Sequence, residues 1–280
     1  MPYSYQSLCQ VLKNAGIPPH EAKDEAALLL QHFTGVSRAT CLCDRQKMYD
    51  APLLDEAVQR RLTHYPLQYI LGTWEFFGLT FKVNEHCLIP RPDTELLVET
   101  AIQKLPKGAI FADLCTGSGC IAVSILKNRP DTKAYALELF PETLSLAVEN
   151  AKINGVGDRF VPICADLLHG GREALQGFAP MQAVVSNPPY IPRKVVDELA
   201  PELFFEPRAA LDGGDDGLTF YRAILEDYPS LLSKGGQILL EIGYDQAESL
   251  ESLGKIYLPN ASYTCLKDLG GQDRVVCFDT

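Results

Sequence analysis

The decapeptide Ile110-Phe111-Ala112-Asp113-Leu114-Cys115-Thr116-Gly117-Ser118-Gly119 constrains this chain more than any other part of it. An apolar run ending in an acid, followed by a turn with two glycines and then an apolar segment over 120–127, reads as a buried strand turning tightly into a helix. Glycines in such a turn let the backbone approach a ligand with no Cβ in the way. The alternation repeats downstream. Strand-like runs cover 109–114, 132–139, 160–165, 182–186 and 237–242, with helical stretches such as 120–127 and 142–154 between them. That order predicts an α/β fold, a mainly parallel sheet wound by helices on both faces. The tail, 262–268 and 274–279 around Gly270-Gly271, reads as a terminal strand pair.

Ahead of this region the spacing is helical. Leu8, Val11, Leu12 and Ala15 precede Gly16, and Ala22, Ala26, Leu29, Leu30 and Phe33 precede Gly35. A third segment, 52–64, carries Leu54, Val58, Arg61 and Leu62 at the same spacing. Phe76-Phe77 and Leu79 to Phe81 flank Gly78 and predict a β-hairpin. Asp93, after Pro90-Arg91-Pro92, is positioned to cap a helix running to about Leu105. The expected organisation is a helical domain over 1–72, a hairpin linker over 73–86 and an α/β domain over 87–280. At 280 residues, the chain has room for one large domain and such an accessory.

Composition narrows the function classes. No run of eighteen apolar residues predicts a membrane span, and the first residues lack a basic stretch followed by an apolar one. The nine cysteines are scattered without a Cys-x-x-Cys pair, which fits reduced thiols in the cytoplasm better than zinc or disulfides. A net charge of −11 weighs against a protein that draws its affinity from neutralising phosphates.

In a doubly wound sheet, ligands sit at the carboxyl ends of the strands. Glu138 lies at the end of the strand after the glycine turn, where a carboxylate can accept hydrogen bonds from both ribose hydroxyls of an adenosine. This pattern fits a nicotinamide dinucleotide as well as S-adenosylmethionine. Asp113 leans toward the latter, because it can face an ammonium but would repel a pyrophosphate. Asp166, followed by Leu167, fits either an adenine neighbour or a helix cap.

The segment Asn187-Pro188-Pro189-Tyr190 separates the cofactors. It follows the strand 182–186 at the same sheet edge, and its prolines force a rigid loop rich in free carbonyls. An amide or aromatic amine nitrogen is a poor nucleophile, because its lone pair is delocalised. Its two N–H bonds must be held so that it can pyramidalise toward a methyl donor. The Asn187 side-chain oxygen and the Pro188 carbonyl can each accept one, and Tyr190 can stack on the planar group. The expected reaction is methyl transfer to such a nitrogen, and a tight turn without function is the alternative.

Three further stretches, 88–96 (Leu-Ile-Pro-Arg-Pro-Asp-Thr-Glu-Leu), 113–119 and 205–214, carry a resemblance over essentially the whole chain. With Asn187 to Tyr190 they resemble the bacterial peptide chain release factor glutamine methyltransferases. The resemblance implies a Rossmann-like class I S-adenosylmethionine methyltransferase domain with a seven-stranded, mostly parallel sheet. It implies S-adenosyl-L-methionine as methyl donor, no metal, and class I release factors as partners, methylated on the glutamine of their Gly-Gly-Gln loop. Carried over, Asp113, Cys115, Thr116, Gly117, Ser118, Gly119, Glu138, Asp166, Leu167 and Asn187 would hold the cofactor. Asn187, Pro188, Pro189 and Tyr190 would hold the glutamine, and Arg91 would close over the site. Glu206 to Gly214 would support the loop or touch the release factor. One departure stands out: Cys115 occupies a position where the family usually has glycine, and the expectation is a backbone that tolerates it. Gly270-Gly271-Gln272 repeats the target tripeptide and reads as a hairpin turn. Rival functions are a ribosomal-protein glutamine methyltransferase, an adenine methyltransferase on nucleic acid, and a scaffold that has lost catalysis. Direct nucleic-acid binding is not expected.

Overall fold

Helix spacing over the first seventy residues translates into a small bundle with its own core. The computed structural model describes residues 1–178 and 180–280. These cluster into two units, Met1–Thr73 with Ala200–Phe205, and Trp74–Leu199 with Glu206–Thr280. In the first, a short pairing of β1 (Tyr3–Ser4) with β2 (Met48–Tyr49) frames α1 (Tyr5–Asn14), α2 (Pro19–Thr34), α3 (Arg38–Cys43), α4 (Pro52–Leu62) and α5 (Leu67–Leu71). The Ser4 side chain accepts from the Ser7 backbone N–H, and Ser7 reciprocates, a capping box that starts α1. Gly35, left-handed at φ +71°, ends α2. Leu8, Leu12, Leu29, Leu30 and Leu54 are fully buried between the helices. Arg61, spaced like the apolar residues of α4, is buried for a different reason. Its guanidinium forms a fork on Glu25 at 2.7 and 2.8 Å and reaches Glu202 at 2.6 Å. The inserted segment Ala200–Phe205 therefore belongs to this unit through an ion pair as well as the Phe205–Tyr65 ring contact.

The hairpin of β3 (Thr73–Phe76) and β4 (Leu79–Lys82) turns through Phe77 and Gly78, at φ +50° and +70°. Positive φ at both central residues matches the right-handed twist of the strands. Read from sequence as a linker, the hairpin is packed into the second unit. Phe76 and Phe81 are buried with Leu97 and Val98, and the Asn150 side chain bonds both backbone groups of Lys82.

The second unit continues with α6 (Glu95–Lys104), β5 (Ile110–Leu114), α7 (Cys120–Asn128), β6 (Lys133–Glu138), α8 (Pro141–Ile153), β7 (Phe160–Cys164), α9 (Gly171–Gln176), β8 (Met181–Ser186), α10 (Arg193–Val196), α11 (Thr219–Asp227), β9 (Leu232–Glu241), α12 (Ala247–Tyr257), β10 (Ser262–Lys267) and β11 (Asp273–Asp279). Among the described residues these strands make one seven-stranded sheet in the order β10-β11-β9-β8-β5-β6-β7. β11 runs antiparallel to both neighbours, and the remaining pairs are parallel. Side chains alternate between two cores. Phe111, Ala183, Val185 and Leu239 face α6, α7 and α8, while Ala112, Leu114, Val184 and Leu240 face Tyr221, Leu225 and Leu250 of α11 and α12. Strands buried on both faces are the near-continuous apolar runs of the sequence.

Asp93 does not cap α6. It lies in a one-turn helix, Pro92–Thr94, that leads into α6 without a side-chain cap, and it faces Arg274 at 3.4 Å. A proline before the aspartate starts the turn early, so Asp93 is already inside it. The tripeptide Gly270-Gly271-Gln272 forms the β10–β11 turn, tied by Asp268 N–H to the Gln272 carbonyl at 2.8 Å. No helix of the described residues is long and apolar enough to cross a membrane.

Candidate active site

Parallel register aligns the functional residues. Leu114, Leu137, Ser186 and Leu240 share one row across β5, β6, β8 and β9. One residue further along stand Cys115, Glu138, Asn187 and Glu241, at the carboxyl edge of the sheet. The strand order reverses between β5 and β8, so β5 leads away to one side and β8 to the other, which opens a crevice at this edge. A cavity of about 350 Å³ fills it. Cys115, Gly117, Glu138, Asp166, Leu167, Asn187 and Pro189 line it, together with His86, Cys87, Phe140, Thr143 and Phe220.

Glu138 is the best-held of these. One carboxylate oxygen accepts from Gly117 N–H at 3.0 Å, the other from Leu139 and Phe140 N–H at 2.9 and 3.2 Å. Burial raises its pKa, and the three backbone hydrogen bonds work against that rise. The carboxylate thus braces the glycine turn while retaining one lone pair, on the oxygen bound to Gly117. Asp166 accepts from Leu168 N–H at 2.8 Å and lies 3.0 Å from a His169 ring nitrogen. It shapes the loop after β7 and lines the cavity at once, without capping a helix.

Asp113, Thr116, Ser118 and Gly119 are not among the residues lining the cavity. Asp113 is fully buried, accepting from the Thr116 hydroxyl at 2.6 Å and from Ala122 N–H at 3.2 Å. Its other oxygen has no hydrogen-bond partner, and burial pushes its pKa up to about 7. Gly119 starts α7 at φ +81°, where a Cβ would come within 3.1 Å of the Ala147 Cβ. Cys115 departs from expectation. Its φ is +57°, so the position does require a left-handed backbone, and a side chain there is strained by about 1–2 kcal/mol.

The Asn187 side-chain amide donates to the Thr94 hydroxyl at 3.2 Å. Pro188 is buried, and the Tyr190 carbonyl accepts from Gln246 at 3.0 Å. Burial pushes the Tyr190 phenol up to about 12. Gly213 explains part of the 205–214 stretch: a Cβ there would lie 2.8 Å from Tyr190 Cα. The loop carrying Asn187 is thereby backed by a chain that only glycine allows so close. Arg91 is not part of the cavity lining. It pairs with Glu206, whose other oxygen accepts from Ile89 N–H at 3.0 Å.

Thr94 and Glu241 were missed from sequence. Glu241 has a signal there: like Asp113 and Glu138 it is an acid closing an apolar strand run. Thr94 has none, since only the fold brings the one-turn helix ahead of α6 against the loop after β8. Among the described residues no group of three or more His, Cys, Asp or Glu is arranged to hold a metal ion.

Comparison with known proteins converges on one family. The release factor glutamine methyltransferase of Caulobacter vibrioides is 37% identical over 95% of this chain and 91% of the relative. That of Geobacter sulfurreducens is 41% identical over 91% of this chain and 88% of the relative. The chain belongs to the release factor glutamine methyltransferase family. Family models agree by region: a PrmC N-terminal domain matches residues 5–72 and a methyltransferase small domain matches 92–235. In fold, the hMettl16 catalytic domain is similar at a TM-score of 0.57 and 17% identity, over 80% of this chain and 82% of that one. The protein is therefore a methyltransferase, and the cavity at the β5–β8 switch point lies where such folds bind ligands.

Proposed function

We propose that the protein transfers a methyl group from S-adenosyl-L-methionine to the side-chain amide nitrogen of the glutamine in the Gly-Gly-Gln loop of class I peptide chain release factors. The observation that carries this reading is the Asn187-Pro188-Pro189-Tyr190 loop beginning on the same sheet row as Glu138, with Asn187 and Pro189 lining one cavity with the glycine turn. The family of its relatives names the substrate class.

The residues fit the donor. Gly117 at φ +56° opens the cavity floor to close approach, and Glu138, with three backbone N–H bonds accepted, keeps one lone pair on the oxygen facing Gly117 for a ribose hydroxyl. Leu167 and Phe140 offer apolar walls beside it for an adenine. Asp113 keeps one buried oxygen without a partner beneath the same turn, the acceptor that an ammonium group requires. When bound, the cofactor supplies an electrophilic methyl on a sulfonium sulfur, so no metal is needed.

The chain's own residues handle the amide. Asn187 commits its NH₂ group to Thr94, which turns the carbonyl oxygen outward as an acceptor. That oxygen and the Pro188 carbonyl hold the two N–H bonds of the substrate, and the Tyr190 ring stacks on the amide plane. Orientation of this kind lowers a barrier by roughly 7–11 kcal/mol. The nitrogen's proton becomes acidic only after methylation, so no strong base is needed at the start. A net charge of −11 supports a protein substrate over a phosphate backbone, and a translation factor as substrate puts the enzyme in the cytoplasm.

Tritiated methyl transfer to purified release factor, wild type beside a Gln→Ala change in its Gly-Gly-Gln loop, tests the reading. Label on the wild type alone is expected. No label on either, with cofactor binding verified, overturns the substrate and turns attention to ribosomal protein.

A further inference from the structure

An asparagine that must present its oxygen to a substrate has a problem of symmetry. Its amide has an oxygen and a nitrogen of nearly equal size, and a half-turn of the side chain exchanges them. In the wrong orientation it offers N–H groups to a substrate that also offers N–H groups. Something in the protein must fix the orientation.

Glu241 and Thr94 stand where that can be done. Glu241 ends β9 on the row of Asn187, which follows β8 in the neighbouring parallel strand. Both Glu241 and Thr94 are 2% exposed. The Thr94 hydroxyl accepts from Asn187 Nδ2 at 3.2 Å, and both side chains favour the charged form of Glu241. Oε2 of Glu241 is buried without a hydrogen-bond partner, an acceptor left open beside them. We propose that Glu241, with Thr94, is a positioning residue of the active site: an acceptor-only carboxylate that draws the Asn187 NH₂ and the Thr94 hydroxyl inward and so holds the Asn187 oxygen toward the substrate amide. This rests on the role given to Asn187 above. It also gives the Pro90-Arg91-Pro92-Asp93-Thr94 stretch a chemical purpose, since that one-turn helix delivers the Thr94 hydroxyl.

The device depends on charge. A carboxylate only accepts hydrogen bonds; a carboxylic acid also donates, and its proton can engage the Asn187 oxygen and turn the amide round. Glu241 is surrounded by Arg274 of β11, Asp93 ahead of α6, the phenols of Tyr190 and Tyr221, and the Cys120 thiol of α7. Arg274 favours the charged form and Asp93 opposes it. Burial outweighs them and pushes the Glu241 pKa up to about 7. The amide is then fixed in its working orientation on the alkaline side and released as pH falls.

The test compares wild type, Glu241→Gln, Thr94→Val and Thr94→Ser. Single-turnover methyl transfer to release factor is measured from pH 5.5 to 9, with cofactor affinity determined separately. The wild-type rate is expected to rise with pH and level off. Glu241→Gln should lose about 10²-fold at pH 8, in the range for one lost preorganised group, and lose the acidic limb of the profile. Thr94→Val should fall similarly, Thr94→Ser should recover most of the rate, and cofactor affinity should stay within about threefold throughout. In parallel, the side-chain ¹H–¹⁵N signals of Asn187, assigned by their loss in Asn187→Ala, should move with pH in wild type and stay fixed in Glu241→Gln. Wild-type rate in Glu241→Gln, or loss of rate in step with cofactor affinity, overturns the proposal, as do Asn187 signals insensitive to Glu241. If wild type leaves release factor unlabelled, the substrate reading fails, and the Asn187 signals alone decide the positioning role.

Discussion

At Cys115 the chain accepts strain in the lining of the cavity at the carboxyl edge of its sheet. The residue sits at φ +57° in the turn after β5, a left-handed backbone that glycine adopts without strain. A Cβ in the left-handed region costs about 1–2 kcal/mol, and glycine returns part of that as unfolded-state entropy. Cys115→Gly is therefore expected to stabilise the protein by about 0.5–1 kcal/mol, a rise in Tm of about 2 °C. Cys115→Ala keeps the strained backbone, loses the sulfur, and should melt no higher than wild type. Thermal unfolding of the three proteins checks this, and a lower Tm for the glycine variant would mean that thiol packing outweighs the strain. Asn187 is the opposite kind of residue, held by a hydrogen bond for chemistry and not for stability. Asn187→Ala should lower the methyl-transfer rate by about 10²–10³-fold while cofactor affinity changes little. An equal loss of both would make Asn187 a wall of the cofactor cavity first.

The loop from Asn187 to Tyr190 owes its shape to the chain behind it. Ile191 N–H donates to the Leu211 carbonyl, Gly213 N–H donates to the Ile191 carbonyl, and Gly213 leaves no room for a Cβ beside Tyr190. Gly213→Ala should push the loop outward at a cost of about 1–3 kcal/mol. The transfer rate should fall far more than cofactor affinity, because in the proposed reaction the displaced residues handle the substrate. Unchanged Tm and rate together would show that the loop absorbs a methyl group freely. This coupling was legible in the sequence as a motif but not as a mechanism. Alternating runs and glycine turns foretold β5 to β9, the glycine turn after β5 and the proline loop after β8, since those signals are local. Asp113 was read as facing the ligand; one of its oxygens is spent on the Thr116 hydroxyl and Ala122 N–H, and the other is buried without a partner. Its direction depends on which face of β5 meets α7, and strand alternation alone does not say which. Thr94 and the Arg61 ion pair stayed hidden for the same reason, their partners being 93 and, for Glu202, 141 residues away. The hairpin was foreseen but its packing was not, because Asn150 clamps it from 68 residues further on.

Seen whole, the molecule carries buried acids whose titration should govern its stability. Desolvation pushes Asp113 and Glu241 up to about 7, and burial raises Glu25 and Glu138 as well. In the unfolded chain these carboxyls titrate near 4. Between about pH 4 and 7 the folded protein therefore holds more protons than the unfolded one, and stability falls as pH rises across that window. Asp131, Asp197, Asp216 and Asp279 are held below the usual range by their partners and act in the opposite sense. Their window lies below about pH 4, where stability grows as pH rises. The two slopes meet between them, so maximum stability is expected near pH 4–5, on the acid side of the range common to soluble proteins. Thermal unfolding at constant ionic strength should give a Tm that declines from pH 5 to 7.5 and then flattens. Asp113→Asn should flatten part of that decline, because a neutral amide has no proton to lose. S-adenosylhomocysteine, which keeps the ammonium of the donor, should raise Tm more at pH 8 than at pH 5.5, since its charge favours the ionised Asp113. A Tm that climbs steadily from pH 5 to 8 in both proteins would mean that these carboxyls are hydrated in solution and titrate as ordinary surface acids do.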